Sequence, residues 1–569
     1  MSSAANPLAP RLAPAPAPAP AEESARPRHA LLLTVCCLAQ FMVILDVSIV
    51  NVALPSIQGS LGLSEADLQW VVNAYTITFA GFLMLSGRAA DLFGGRRTFV
   101  TGLLLFALAS LVGGTAADRQ ILIGARALQG LGGAVMAASS LAIITSSFAP
   151  GPERHRAIGL WGAMNGAGGA TGTLLGGIIT QELSWRWVLL INLPIGIAAA
   201  LIARAVVVDR RREHAAGSFD LGGALAVTGG LLALVYGIVS AGQDGWGSLA
   251  ALGPIGLGLA SLAMFFVIEG RIAAAPLVPL RVFANRLLRV SNIVVILFSA
   301  ALFPMWYFCS LYLQKILHMG PLDAGLAFLP MALTIMACAT QAGGLVARFG
   351  AGPLLGVGLS LMAVGLALFG ASIAVNGDYM SNFMLPSLLV SSGIGLSVVP
   401  STIAATATAA PSEAGLASGL VNTSRQMGGA LGLAVLASLA VLYTGHLTNA
   451  DYRAPVLAVT DGFRLAFLLG AGFVATGALV AFRFIPRAVR PGAPAVHVAP
   501  VPVSTGPEAE TPPAAVRHGA SGPVARPRAR PVASVVLSVS GGGRWALASG
   551  SMTLRVAGEE SSGAGGPGR

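Results

Sequence analysis

"ALLLTVCCLAQFMVILDVSIVNV" (residues 30–52) decides the fold of this chain. At about 1.5 Å per residue in a helix, such a run crosses a hydrocarbon core roughly 30 Å thick. A single ionised side chain, Asp46, interrupts it. Comparable apolar windows recur at 69–87, 98–117, 119–144, 157–180, 187–208, 219–240, 249–269, 290–314, 323–347, 353–374, 381–403, 415–443 and 462–485, fourteen in all with the first. The 569-residue chain is 55% hydrophobic and 10% charged. A soluble domain carries about 25% charged residues, so this sequence lacks the polar surface to cover a globule in water. The expected fold is an all-α polytopic membrane protein with fourteen transmembrane helices.

The net charge of +11 raises the question of a nucleic-acid partner. The arginines answer it, because they fall in short loops where basic residues set membrane orientation. With the N-terminus inside, the inner flanks hold Arg26, Arg28, Arg88, Arg96, Arg97, Arg154, Arg156, Arg204, Arg210, Arg211, Arg212, Arg271, Arg281, Arg286, Arg289, Arg348, Arg483, Arg487 and Arg490. The outer side holds only Arg119, Arg186, Lys315, Arg453 and Arg464. This asymmetry makes both termini cytosolic and the lipid bilayer, not nucleic acid, the large partner. The start of the chain reads as a cytosolic tail, with no clear small-residue cleavage site after the first apolar run.

Two stretches echo each other. "GRAADLFG" (87–94) ends the second helix and "GGLVARFG" (343–350) ends the tenth. If these are equivalent positions, residues 30–208 and 290–485 are two six-helix bundles related as parallel repeats, and 209–289 inserts two further helices. Residues 1–29 and 486–569 read as disordered tails; the second is rich in Pro, Gly, Ala, Ser and Arg and has little apolar surface to bury.

An ionised carboxylate inside a membrane helix is costly unless it faces a partner or a wet cavity. Counting along the helices places Asp46 in the outer half of the core. Arg126, in "ILIGARALQGLGG" on the fourth helix, lies at a similar depth, and Gln129 follows on the same face. Two readings stand: a static ion pair between helices, or a site that binds and releases a proton. On the fifth helix, Gly168, Gly172 and Gly176 recur every fourth residue, a seam for close helix contact. In "GRAADLFGGRR", Gly87, Arg88, Asp91, Gly94, Arg96 and Arg97 make either a turn bearing topogenic charge or a charged latch between halves. Arg425, in "NTSRQMGGALG", is a candidate for the same inter-half contact. Candidate substrate-cavity residues are Gln40, Asn73, Tyr75, Gln129, Trp161, Asn165, Trp306 and Tyr307. The cysteines (Cys36, Cys37, Cys309, Cys338) read as small buried hydrophobes. There is no phosphate-binding "GxxxxGK[ST]" loop, no "HExxH" and no metal-ligand cluster, so no cofactor and no enzyme activity are expected.

Together these motifs resemble the major facilitator superfamily, in its fourteen-helix drug:proton antiporter branch. "LDVSIVNVALPSI" resembles the branch's helix-1 motif, "GRAADLFGGRR" the loop after helix 2, and "RALQG" the helix-4 motif. "SWRWVLLINLPIG" and "GLASGLVNTSRQMGGALG" are similar to further stretches of the branch. The resemblance spans about residues 30–485. It implies a multi-pass transporter of a bacterial plasma membrane that couples proton entry to export of amphipathic small molecules by alternating access. Asp46 and Arg126 match the proton-coupling pair, Arg88 and Asp91 the gating loop, and Gly172, Gly176 and Gly177 the antiporter motif. Where the family has Gly-Pro, this chain has Gly172-Thr173, and in the second-half echo Ala347 replaces the acid. A proton symporter, an exporter of an endogenous metabolite or lipid, and a non-transporting membrane receptor are the alternatives.

Overall fold

The computed structural model describes residues 20–148, 151–208, 220–273, 276–408, 414–450 and 455–487, and these contain helices and no strand. The first five helices are α1 (Pro20–Leu61), α2 (Glu65–Phe93), α3 (Gly95–Gly114), α4 (Arg119–Ser147) and α5 (Pro152–Glu182). Next come α6 (Trp185–Leu190) and α7 (Asn192–Val206), then α8 (Leu221–Asp244) and α9 (Leu249–Val267). The remainder are α10 (Arg286–Leu311), α11 (Pro321–Ala327), α12 (Leu329–Phe349), α13 (Ala351–Ser372), α14 (Leu385–Thr406), α15 (Ala414–Ala450) and α16 (Pro455–Phe484). Helices dominate because hydrocarbon offers the backbone no partner, so each segment must satisfy its own N–H and C=O groups.

Among the described residues, thirteen helical segments are both long and apolar enough to cross a membrane. Helix α5 is not among them; at 31 residues it is about 46 Å long but is diluted by glycine. Its second half packs closely against α1 and α11 through Gly168, Gly172, Gly176 and Gly177. Helix α1 begins at Pro20. Proline is tolerated at a first helical position. Residues 1–19 and the long segment from 488 onward lie outside the described residues.

Helices α1 to α7 pack mainly on one another, as do α10 to α16. Helix α8 sits against both α2 and α15, while α9 packs on α8. Close glycine contacts join the α8–α9 pair: a Cβ on Gly237 would lie 2.7 Å from the Ala251 carbonyl oxygen. Only 17% of the apolar window of Leu249–Ile272 is buried, against 83% in Glu65–Phe93, so α9 presents itself to lipid and α2 does not.

The short sequence echo has a backbone counterpart. Gly94 ends α2 at φ 94°, ψ 138°, and Gly350 ends α12 at φ 87°, ψ 159°. Both adopt a conformation that L side chains rarely reach, which explains the glycine at each place. The intervening "GRAADLF" is not a loop, however. It forms the last turns of α2, and the connection to α3 is Gly94 alone.

Candidate functional site: a buried charge cluster

Asp46 lies on α1 with no solvent exposure, and Arg126 on α4 is 2% exposed; their Nη1–Oδ2 distance is 2.5 Å. Two amides complete the carboxylate's shell. Gln129 Nε2 donates to Oδ1 at 3.1 Å, and Asn192 Nδ2 donates to the same oxygen at 3.0 Å. Gln129 also reaches Ser110 Oγ on α3 at 2.6 Å. The cluster therefore ties together α1, α3, α4 and α7.

Arg126 is itself held from several directions. Its Nε donates to the Val71 carbonyl at 3.1 Å, and Nη1 also reaches Gln129 Oε1 at 3.0 Å. Its guanidinium carbon stands 4.6 Å from the centre of the Tyr75 ring. A ring quadrupole attracts a cation at that distance, and the attraction strengthens where water is excluded. Gly130 lets α2 come this close: a Cβ there would lie 2.3 Å from the Tyr75 carbonyl oxygen.

Asn192 has no counterpart among the sequence-based candidates. It reaches the cluster because the α6–α7 span breaks at Ile191. Pro194 causes the break, since it lacks the N–H that would bond the Leu190 carbonyl and its ring crowds that oxygen. Asn192 Oδ1 is buried without a partner. If the amide flipped, it would offer this acceptor to Asp46 in place of the donor. Among the described residues no three potential metal ligands gather, here or elsewhere.

The expected seam on α5 is present. A Cβ on Gly168 would lie 2.9 Å from the Phe41 carbonyl, on Gly172 2.7 Å from Ser48 Cβ, and on Gly176 3.0 Å from the Ile49 carbonyl. All three face α1. Gly177 faces α11, where a Cβ would lie 2.6 Å from the Pro321 carbonyl. Thr173, in the place of the resemblance's proline, turns its hydroxyl back to the Ala170 and Gly169 carbonyls at 3.0 and 3.3 Å. The helix stays continuous there.

This end of the molecule also carries the polar contacts between the first and last groups of helices. Lys315 Nζ lies 2.6 Å from Glu65 Oε1. Ser310 and Gln314 donate to the Asn51 and Val52 carbonyls at 2.6 and 2.9 Å, and the Leu322 amide donates to Gln181 Oε1 at 3.2 Å. Sequence reading missed this set, because no motif marks it.

The remaining candidates are scattered. Gln40 donates to Asn165 at 3.0 Å, linking α1 to α5, and Trp161 donates to Ser140 at 3.0 Å. Asn73 is fully buried, with neither amide atom partnered. Tyr75 and Gln129 belong to the charge cluster. Trp306 packs with Phe328, ring centres 5.3 Å apart, while the Tyr307 ring is buried beside Phe308. At the opposite end, Arg88 is half-buried with its Nε unpartnered, and Asp91, Arg96 and Arg97 each have an interaction partner. Arg425 lies on α15, with its Nε and Nη2 buried and unpartnered.

A family model described as Major Facilitator Superfamily matches residues 36–433 and 305–558. The chain belongs to the major facilitator superfamily. It is a multi-pass membrane protein of a transporter family, not an enzyme. Among its relatives in this superfamily is the cephamycin export protein CmcT of Amycolatopsis lactamdurans, 40% identical over 82% of this chain and 95% of that protein. Another is the puromycin resistance protein pur8 of Streptomyces alboniger, 39% identical over 81% and 92%. The fold matches a bacterial homologue of the human lysosomal transporter Spinster, with a TM-score of 0.58 at 15% identity over 80% of this chain and 96% of that one. It also matches a D-xylose–proton symporter, with a TM-score of 0.57 at 13% identity over 80% and 98%.

Proposed function

We propose that this protein exports amphipathic small molecules, antibiotics among them, across a bacterial plasma membrane in exchange for protons. The observation that carries the reading is Asp46: a carboxylate wholly buried in a membrane helix and held by one arginine and two amides. Intramembrane ionisable groups are expensive, and they cluster on ion and substrate pathways. Relatives named for export of, or resistance to, cephamycin and puromycin support the substrate class.

In the described conformation three donors point at Asp46. A proton arriving on it needs one of them to withdraw. Asn192 answers that need by rotating its amide, which turns a donor into an acceptor. Withdrawal of Arg126 needs more, since its bonds to Val71 and Gln129 and its stacking on Tyr75 must loosen together. Because these contacts join four helices, protonation of Asp46 and relative movement of the helices are two aspects of one event. Alternating access follows if the closed end, at Glu65 and Lys315, opens as that movement proceeds. The arginine distribution assigns the Glu65 end to the outside.

The experiment is a susceptibility panel in a pump-deficient bacterial host with cephamycin, puromycin and lincomycin. Wild type should raise tolerance to at least one compound. Asp46→Asn, confirmed in the membrane fraction, should remove that protection. Full protection by Asp46→Asn would refute the proton-coupling role, and no protection by wild type would refute the export reading.

A further inference from the structure

The polar stretch "NTSRQ" (422–426) interrupts α15 about 16 Å from its start, inside the membrane-crossing part of the helix. Its members are not alike. Ser424 donates to Asn292 Oδ1 at 2.8 Å, and Asn292 in turn donates to the Leu288 carbonyl, also at 2.8 Å. Arg425, by contrast, has Nε and Nη2 closed off from solvent with no hydrogen-bond partner. A guanidinium does not give up its proton in a protein, so the charge stays and has to be answered.

No described carboxylate pairs with these two nitrogens. Asp46 is occupied by Arg126, Gln129 and Asn192. Asp91 is out of reach. A Cβ on Gly419 would lie 3.8 Å from the Met84 sulfur, which fixes the register of the antiparallel pair α2 and α15. In that register Arg425 lies level with residue 78, and Asp91 lies thirteen residues, or about 20 Å, further along. Glu65, Asp67 and Glu153 sit at the first turns of their helices.

The two orphaned nitrogens are also the two that share one edge of the guanidinium plane. That edge presents parallel N–H groups at the spacing of the two oxygens of one carboxylate or phosphate. We propose that the Nε–Nη2 edge of Arg425 is the binding site for an oxyanion group supplied from outside the chain. The proposal rests on the transporter reading for its purpose: the group is a carboxylate or phosphate of the cargo, or the same chemistry on an anionic lipid. Substrates bearing such a group would be held on α15, away from the Asp46 cluster, so that anion binding and proton binding use separate sites.

The test measures binding rather than transport, so it stands apart from whether export is observed. Full-length protein in phosphatidylcholine nanodiscs is titrated calorimetrically with 1-naphthylacetate and with its neutral isostere 1-naphthylacetamide. Wild type should prefer the acid by about tenfold or more, the range of a charge-assisted bidentate contact. Arg425→Gln should lose the preference, Arg425→Lys should keep part of it, and Asp46→Asn should keep all of it. Repeating the titration with phosphatidylglycerol in the disc separates the sources. Competition that disappears in Arg425→Gln assigns the site to a lipid phosphate, and no competition assigns it to cargo. Equal affinity for acid and amide in wild type, or an acid preference that survives in Arg425→Gln, would overturn the proposal. Circular dichroism of each variant guards against misfolding.

Discussion

The two ends of α5 carry the same residue type in opposite surroundings. Toward Glu65 and Lys315, Gly172, Gly176 and Gly177 are pressed so closely that an added Cβ would fall 2.6 to 3.0 Å from a neighbouring atom. Toward Arg88, Gly159, Gly162 and Gly166 have nothing within 4 Å of that position. In α12, Gly343 and Gly344 near the Arg88 end are equally open, while Gly325 on α11 packs 2.7 Å from the Thr173 carbonyl. The glycines of one helix thus serve a closed contact at one end and an open surface at the other. We read the difference as a transporter sealed on its outer side and open on its inner side.

The strongest way to break this comparison is to fix the closed end. With Cys36, Cys37, Cys309 and Cys338 replaced by serine, Gln181→Cys and Leu322→Cys joined by a short bifunctional thiol reagent should reduce transport to background. Cleaving the link should restore it. Transport that persists in fully linked protein would mean this end never opens.

Next in size is Gly172→Val. Its side chain must displace Ser48 and the α1 backbone, a misfit of about 1–3 kcal/mol. Efflux should fall at least tenfold and the melting temperature in detergent should drop. A smaller effect is expected from Lys315→Gln. The pair it breaks is 29% and 44% exposed at its two members, so it contributes only about 0–1 kcal/mol. Labelling of a cysteine placed at Gln314 by a membrane-impermeant thiol reagent should accelerate by a few-fold at most. The smallest effect belongs to Gly162→Ala at the open end, where the added methyl meets nothing. Transport in the described conformation's half of the cycle should be unchanged, and helix propensity should stabilise the protein by about 0.5–1 kcal/mol. A loss of transport as large as that of Gly172→Val would show that the open end closes to the same tightness.

Much of the site was legible because intramembrane charge is rare. Asp46 and Arg126 stand out in apolar runs, and counting depth along two helices of opposite direction is enough to pair them. Gln129 follows from sharing a face with Arg126, and the glycines of α5 from their four-residue spacing. Asn192 was not legible by the same means. It is a single amide in an apolar span, and nothing in the sequence pairs it with Asp46. The Glu65–Lys315 contact joins residues 250 positions apart and has no periodic signature. The window at 157–180 corresponds to α5, a continuous helix of 31 residues.

The central claim is that protons drive transport through Asp46. Purified protein in liposomes, given an imposed pH gradient, is tested with whichever of cephamycin, puromycin and lincomycin it protects against most. Wild type should accumulate the compound, and nigericin should abolish the accumulation. Asp46→Asn should fail to accumulate it while still exchanging labelled for unlabelled compound at equilibrium. Gradient-driven accumulation by Asp46→Asn at the wild-type rate would contradict the account.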